Sequence, residues 1–261
     1  MPDERRAIDL NADVGEATDA AGVAVERALL ELVTSAHIAC GGHAGDEASM
    51  RATVMAARDN GVRVGAHPSY PDREGFGRRP IEMTPRDLSS ALAEQIAALM
   101  EVATSLETTV QSVKPHGALY GEVGRGTSSC DALLDVILEL CGPGTSLVLA
   151  AGAPAVARVR AAGLDVLQEG FADRAYQPNG ELVARQVAGS VYRDPSRAAM
   201  QAVGLAVQGT VVTQEGTTLS LPVDTLCIHG DSPHAVSMAL AVLHALDGAS
   251  VAVTAPSTRH P

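Results

Sequence analysis

Aromatic residues are nearly missing from this sequence, whose 261 residues include four Tyr, two Phe and no Trp. A core without rings must be built from Ala, Val, Leu and Ile, which suits helices laid on sheet. Lysine is scarcer still: of the 19 basic residues, all but Lys114 are Arg. An ammonium is compact and changes its protonation when buried, which a guanidinium does not. Where Arg serves every plain positive charge, the one lysine becomes a candidate for chemistry. Cysteine is sparse as well. Cys40, Cys130, Cys141 and Cys227 lie far apart without CxxC spacing, and a chain this long needs no disulfide staples, so reduced thiols are expected. At the amino terminus Met1-Pro2-Asp3-Glu4-Arg5-Arg6 runs straight into Ile8-Asp9-Leu10. The start lacks an apolar stretch of signal-peptide or membrane-span length, which reads as a cytoplasmic protein. Positive charge is outnumbered, with 31 acidic side chains giving a net charge of −12, and so acidic a body argues against nucleic acid or an anionic membrane as partner. Neither GxxxxGK[ST] nor GxSxG occurs, which excludes a Walker-type ATP loop and a serine-hydrolase elbow.

What is present is a repeating unit: a short apolar run, a polar glycine-rich cluster, then a helical stretch. Apolar runs fall at 7–10, 36–40, 62–66, 110–113, 147–151, 165–167 and 225–228. Seven strand candidates alternating with helices predict parallel βα units. The clearest helix follows the third run: Thr84 can cap, Pro85 fits the first turn, and Leu88, Leu92, Ile96, Leu99 and Ala103 form one stripe. Further helices are predicted at 23–33, 48–60, 132–140, 153–162, 197–207 and 234–246, with Gly61, Gly142, Gly163 and Gly248 as left-handed caps. Two architectures take parallel strands. Polar clusters follow nearly every strand, as in a barrel whose βα loops converge on one mouth, so we expect an α/β fold, an irregular (β/α) barrel of about seven parallel strands. It would occupy 1–250 as a single domain with a small hairpin insertion near 209–222, and 251–261 would be a loosely ordered tail.

The strand ends hold the candidate chemistry. Asn11 and Asp13 end the first strand, where Asp13 either enters the mouth or caps a turn. His43 follows the second between glycines; Cys40 there reads as an apolar filler rather than a nucleophile. His67 ends the third, and Arg73, Arg78 and Arg79 in the loop beyond suit an anion. Lys114 and His116, two apart, share one side of the fourth strand unless Pro115 bends it. Lys114 either binds an anion as ammonium or, with its pKa lowered by burial, serves as base. Glu169, Asp173 and Arg174 follow the sixth strand, and His229 and Asp231 the seventh. Half of the eight histidines thus occupy strand ends. Asp13, His43 and His67 would make a two-histidine, one-carboxylate metal site if the barrel gathers them, but no HxxH or HExxH spacing supports this, and no tightly bound metal is expected.

Read in order, the segments 8–16 and 34–46, Gly65-Ala66-His67-Pro68, Gly75-Phe76-Gly77-Arg78-Arg79, Val113-Lys114-Pro115-His116-Gly117-Ala118-Leu119-Tyr120, Glu169-Gly170-Phe171-Ala172-Asp173-Arg174 and His229-Gly230-Asp231 resemble the LamB/YcsF family, regarded as the A-subunit of 5-oxoprolinase. The resemblance spans about residues 7–248. It implies a barrel akin to sugar deacetylases and ATP-dependent hydrolytic opening of 5-oxoproline to L-glutamate, with ATP as co-substrate, accompanied by Mg, and two further subunits as partners. On that reading Asp13, His67 or His116 activates water and Lys114 stabilises negative charge. Arg174 or Arg79 holds the substrate carboxylate, while Asn11, His43, Arg78, Glu169, Asp173, His229 and Asp231 complete the pocket. Two rivals stand beside it, a metal-dependent deacetylase-like hydrolase and a non-catalytic subunit that only presents substrate. Whether copies of the chain self-associate is left open. Gly42 and Ser69 depart from the family pattern, which has Phe and Gly there.

Overall fold

A computed structural model describes residues 6–142, 144–230, 232 and 234–256. The chain runs β1 (Ala7–Val14), α1 (Ala20–Leu30), β2 (Ser35–Ala39), α2 (Glu47–Asp59), β3 (Arg63–His67), α3 (Pro85–Ser105), β4 (Val110–Val113), α4 (Gly117–Arg125), α5 (Ser128–Leu140), β5 (Ser146–Ala150), α6 (Val156–Ala161) and β6 (Asp165–Phe171). It continues through α7 (Pro195–Val203), a π-helical turn (Gly204–Gln208), β7 (Thr210–Val212), β8 (Thr218–Ser220), β9 (Thr225–His229), α8 (Ala235–Gly248) and β10 (Ala252–Val253). Strands β1 to β6 and β9 pair in parallel, and β9 also pairs with β1, which closes a seven-stranded barrel ringed by helices. It is irregular. β4 meets β5 through Ser112–Ser146 and Val113–Leu147 alone, and the β3–β4 register slips after Val64.

Alternation along β1 explains how so apolar a sequence builds a polar interior. Ile8, Leu10, Ala12 and Val14 join the apolar core, whereas the intervening Asp9, Asn11 and Asp13 are buried on the opposite side. The strands' outer faces and the helices make the hydrophobic annulus, where α3 lays Leu92, Ile96 and Leu99 fully buried. Each such side chain contributes roughly 1.5–3 kcal/mol by leaving water. Thr84 accepts from Asp87 N–H at 3.1 Å and Pro85 opens α3, as its sequence predicts.

Four expectations change. α4 was not foreseen, because Gly117, Gly121 and Gly124 depress its helix propensity. The helix expected over 197–207 ends at Val203 and continues as the π-turn. Gly248 lies inside α8, and the positive φ that ends this region belongs to Ser250. The 251–261 segment is not simply a loose tail: Val251 is buried and β10 pairs with the start of β1, Ala252 N–H donating to Arg6 O at 2.8 Å and Thr254 N–H to Ile8 O at 2.9 Å. Residues 257–261 lie outside the described set. β7 and β8 form an antiparallel hairpin within 209–222. Among the described residues no helix is long and apolar enough to cross a membrane.

Candidate active site

The carboxyl ends of the strands surround a cavity of about 280 Å³, walled by Asp13, Glu16, His67, Arg78, Lys114, His116, Tyr120, Phe171, Arg174, Arg185 and His229 among others. Its floor is an ion-paired column. Lys114, 2% exposed, sets Nζ 2.8 Å from Asp13 Oδ1 and 2.7 Å from Glu169 Oε1, and donates to Asn11 Oδ1 at 3.3 Å. Asn11 in turn donates to Glu169 Oε1 at 3.0 Å and Thr225 Oγ1 at 2.7 Å, and Tyr120 O–H donates to Glu169 Oε2 at 2.8 Å. Burial opposes the lysine's charge, yet Asp13, Cys227 and Glu169 more than offset it and hold its pKa well above 10.5. Of the two roles open to Lys114 in sequence, the ammonium is the one the surroundings support; a lowered pKa is not found. Burial likewise works against the Asp13 carboxylate, but its nearness to His67 and Lys114 keeps it well below 3.8.

Beside this column stands a face of histidines. His67 Nδ1 lies 2.7 Å from Lys114 O, and His116 Nε2 lies 2.9 Å from Phe76 O. Carbonyl oxygens only accept, so both nitrogens carry hydrogen and the opposite ring nitrogens are the acceptors. Those two, His67 Nε2 and His116 Nδ1, face each other at 3.0 Å. Glu16 Oε1 lies 3.4 Å from His116 Nδ1 and 2.9 Å from His43 Nε2; the His43 ring stacks on His116 at 3.7 Å. Pro115 does not turn the pair away from the mouth: Lys114 N–H and His116 N–H donate to Ala66 O and Pro68 O, both at 2.8 Å, extending the strand ladder. Burial pushes His116 and His43 down to about 4, and His67 well below its usual value, so all three are neutral near pH 7.

On the far wall, His229 Nδ1–H donates to the buried Asp173 carboxylate at 2.9 Å, and its ring stacks on Phe171 with centroids 5.6 Å apart. Burial raises and the His229 contacts lower the Asp173 pKa, with a net fall. Arg174 donates to Ser190 O at 3.2 Å and Val183 O at 2.8 Å, which fixes its guanidinium plane at the cavity wall.

Asp13, His67, Lys114, His116, Arg78, Arg174 and His229 therefore meet around one cavity. Four expected pocket residues serve from behind instead, among them His43, which is buried against Glu16 and stacked on His116. Asn11 is wholly buried beneath Lys114, Glu169 is engaged by Lys114, Asn11 and Tyr120, and Asp173 holds His229. Arg79 is turned away, bonded through two nitrogens to Asp72 on the outer side of its loop; a carboxylate three residues upstream of Gly75 outcompetes a distant substrate for it. Asp231 lies outside the described residues. Cys40 is buried with its thiol pushed up to about 12 by burial, which suits a filler. Glu16, Phe171 and Arg185 went unselected. Glu16 had a signal, standing three residues beyond Asp13 in the same strand-end loop.

Kinship to known proteins follows the same lines as the geometry. Residues 8–260 match the LamB/YcsF family. The chain belongs to that family. It is 44% identical over 247 residues to 5-oxoprolinase A-subunit 1 of Agrobacterium fabrum, covering 95% of this chain and 96% of that one. The crystal structure of the lactam utilization protein from Thermus thermophilus superposes with a TM-score of 0.87 at 37% identity, covering 96% of this chain and 100% of that one. A family 4 carbohydrate esterase from Streptomyces lividans shares the barrel fold, with a TM-score of 0.52 at 11% identity over 97% and 94% of the two chains. Within this LamB/YcsF chain the two departures are neighbours: a Cβ on Gly42 would stand 2.5 Å from Ser69 Oγ and 2.3 Å from Gln95 Oε1. Gln95 accepts from Ser69 N–H at 3.0 Å and donates to Ser69 O at 2.9 Å, so Ser69 and Gln95 fill the room a larger side chain at 42 would take.

Proposed function

We propose that this chain is the ring-opening subunit of an ATP-dependent 5-oxoprolinase, converting 5-oxoproline to L-glutamate together with two partner subunits. The observation that carries the reading is a full-length likeness to the A-subunit of 5-oxoprolinase combined with a cavity that brings Asp13, His67, His116 and His229 together with the guanidinium groups of Arg78 and Arg174. A lactam carbonyl is a poor electrophile. Transfer of the γ-phosphoryl group of ATP, brought with its Mg, to that oxygen would release ADP and create a leaving group. Water adds to the activated carbon, the C–N bond breaks as the nitrogen takes a proton, and a second water hydrolyses the resulting acyl phosphate to the γ-carboxylate and phosphate.

Each wall fits one part of this sequence. Asp13, beside the imidazole face of His67 and His116, receives the proton of attacking water. His229, its ring oriented by Asp173, faces the opposite side and relays a proton from solvent through Nε2 to the nitrogen. Arg174 and Arg78 hold carboxylate and phosphate. Lys114 fixes Asp13 from below and stabilises negative charge developing above it. A Walker loop being absent from this chain, the partners handle the nucleotide. Reconstitution tests this: glutamate should form from 5-oxoproline and ATP only when all three subunits are combined. Full turnover by the isolated chain would sink the division of labour, and no turnover by the complete assembly would sink the reaction. A merely presenting subunit would keep assembly activity after Asp13, His67 and Lys114 are all replaced; this reading expects none.

A further inference from the structure

Among the described residues, two clusters of metal-ligating side chains meet at the cavity. In the first, Asp13, Cys227 and His229 converge, but Lys114 Nζ already stands 2.8 Å from Asp13 Oδ1 and 3.3 Å from Cys227 Sγ. The ammonium is that cluster's cation. In the second, Glu16, His43, His67 and His116 bring donor atoms within 4.8 Å of one another.

The hydrogen bonds aim these donors at one point. Lys114 O and Phe76 O hold the ring hydrogens of His67 and His116 on their outer sides, leaving two lone pairs opposed at 3.0 Å. Opposed lone pairs at that distance repel, and either a shared proton or a metal ion must lie between them. A shared proton bridges only those two nitrogens, whereas the donor atoms converging there come from four side chains. Outer carbonyl acceptors that fix the tautomer and aim the remaining nitrogen are the arrangement of metal-binding histidines. Glu16 adds a carboxylate oxygen 3.4 Å from His116 Nδ1 and 3.8 Å from His67 Nε2. A tetrahedral shell with bonds of about 2.0–2.1 Å has donor–donor edges of roughly 3.4 Å, which these separations bracket. His43 donates to Glu16 from behind, and Asp13 Oδ2 lies 3.5 Å from His67 Nε2.

We infer that His67 Nε2, His116 Nδ1 and Glu16 Oε1 bind one first-row divalent metal ion, of the zinc, manganese or cobalt class, with its open positions toward the cavity. Two imidazole nitrogens beside one carboxylate favour such an ion over magnesium or calcium. This differs from the Asp13, His43 and His67 set weighed in sequence, because His43 is spent on Glu16 and His116 takes its place. A bound ion would supply positive charge and acidify water beside it. That role rests on the function proposed above; the binding does not.

The experiment is equilibrium dialysis of the chelator-stripped full chain against Zn²⁺ and Co²⁺, with elemental analysis and the cobalt ligand-field spectrum as readouts. The expected result is about one ion per chain, visible cobalt bands, and at least ~100-fold weaker binding in His67→Asn and in His116→Asn, with Cys141→Ser unchanged. Protection of His67 and His116 from diethyl pyrocarbonate by the ion gives a readout on the unaltered chain should a variant misfold. Less than about a tenth of an ion per chain, or variants binding like the parent, would overturn the inference. A metal-loaded chain whose complete assembly opens no 5-oxoproline would sink the reaction and leave the site standing, and a chain that binds no ion while its assembly turns over would sink the site and leave the reaction standing.

Discussion

At the scale of single residues, Lys114 has two roles, and its replacement separates them. It is the counter-charge of Asp13 and Glu169, which are buried and otherwise alike in sign. Lys114→Met should abolish turnover and also destabilise the fold by about 3–5 kcal/mol, because one partner of a buried ionic cluster is removed and the rest stays. The sign of the pH dependence tests this cause. In the parent chain Asp13 lies well below 3.8, so its contribution is present above that range and lost as pH falls through the folded value. Without the ammonium, burial and the neighbouring Glu169 carboxylate act on Asp13 unopposed by Lys114, and its folded pKa rises above the unfolded one. Stability is then present at low pH and lost as pH rises, so the variant should approach the parent at about pH 5 and fall furthest behind at about pH 8 in urea melts. A pH-independent deficit would refute the charge account. Lys114 was legible in sequence because it stands alone among arginines and ends a strand. Glu16 carried only the weaker signal of standing three residues beyond Asp13, since nothing in a strand-end loop says which of its carboxylates turns inward.

At the scale of elements, the helix that the sequence concealed shapes the site. α4 opens at Gly117 with φ +57, and a Cβ there would stand 2.4 Å from Gly77 O. That carbonyl accepts from Ala118 N–H at 2.9 Å, docking the 71–79 loop on the helix, and the same loop supplies Phe76 O to His116. Gly117→Ala adds both left-handed strain and a backbone clash, and should cost about 2–4 kcal/mol. It should also loosen the His116 ring, so the turnover number falls even under conditions where the variant is folded. Urea denaturation and limited proteolysis of the 71–79 loop read the two effects separately, and unchanged stability would contradict the packing described. Helices with strong caps and a regular stripe, such as α3, declared themselves in sequence. α4 did not, because its glycines serve a close approach that only the assembled fold reveals. The same is true of Asn11, Glu169 and Asp173. Their residue types and strand-end positions suggested contact with substrate, but side chains one layer deeper in the barrel hold the groups that make it.

At the scale of the whole molecule, polar clusters after almost every apolar run announced a barrel mouth, and seven strands were countable. Closure was not, since pairing of β1 with β9 joins residues 9–13 to 225–229 across nearly the entire chain. The end of the described chain strengthens that seam from below. Val251 is buried, and β10 pairs alongside the start of β1 through two backbone hydrogen bonds, while Arg63 donates to Pro256 O beside them. All of this lies at the amino ends of the strands, opposite the cavity. Deleting 251–261 should therefore lower stability by about 2–4 kcal/mol, from one buried Val and several backbone bonds, without altering the affinity for substrate. Urea melts together with KM of the reconstituted enzyme measure both quantities. An unchanged midpoint would show that the seam bears no load there, and a raised KM at full folding would show that the floor column transmits strain from Asp9 and Thr225 up to Lys114.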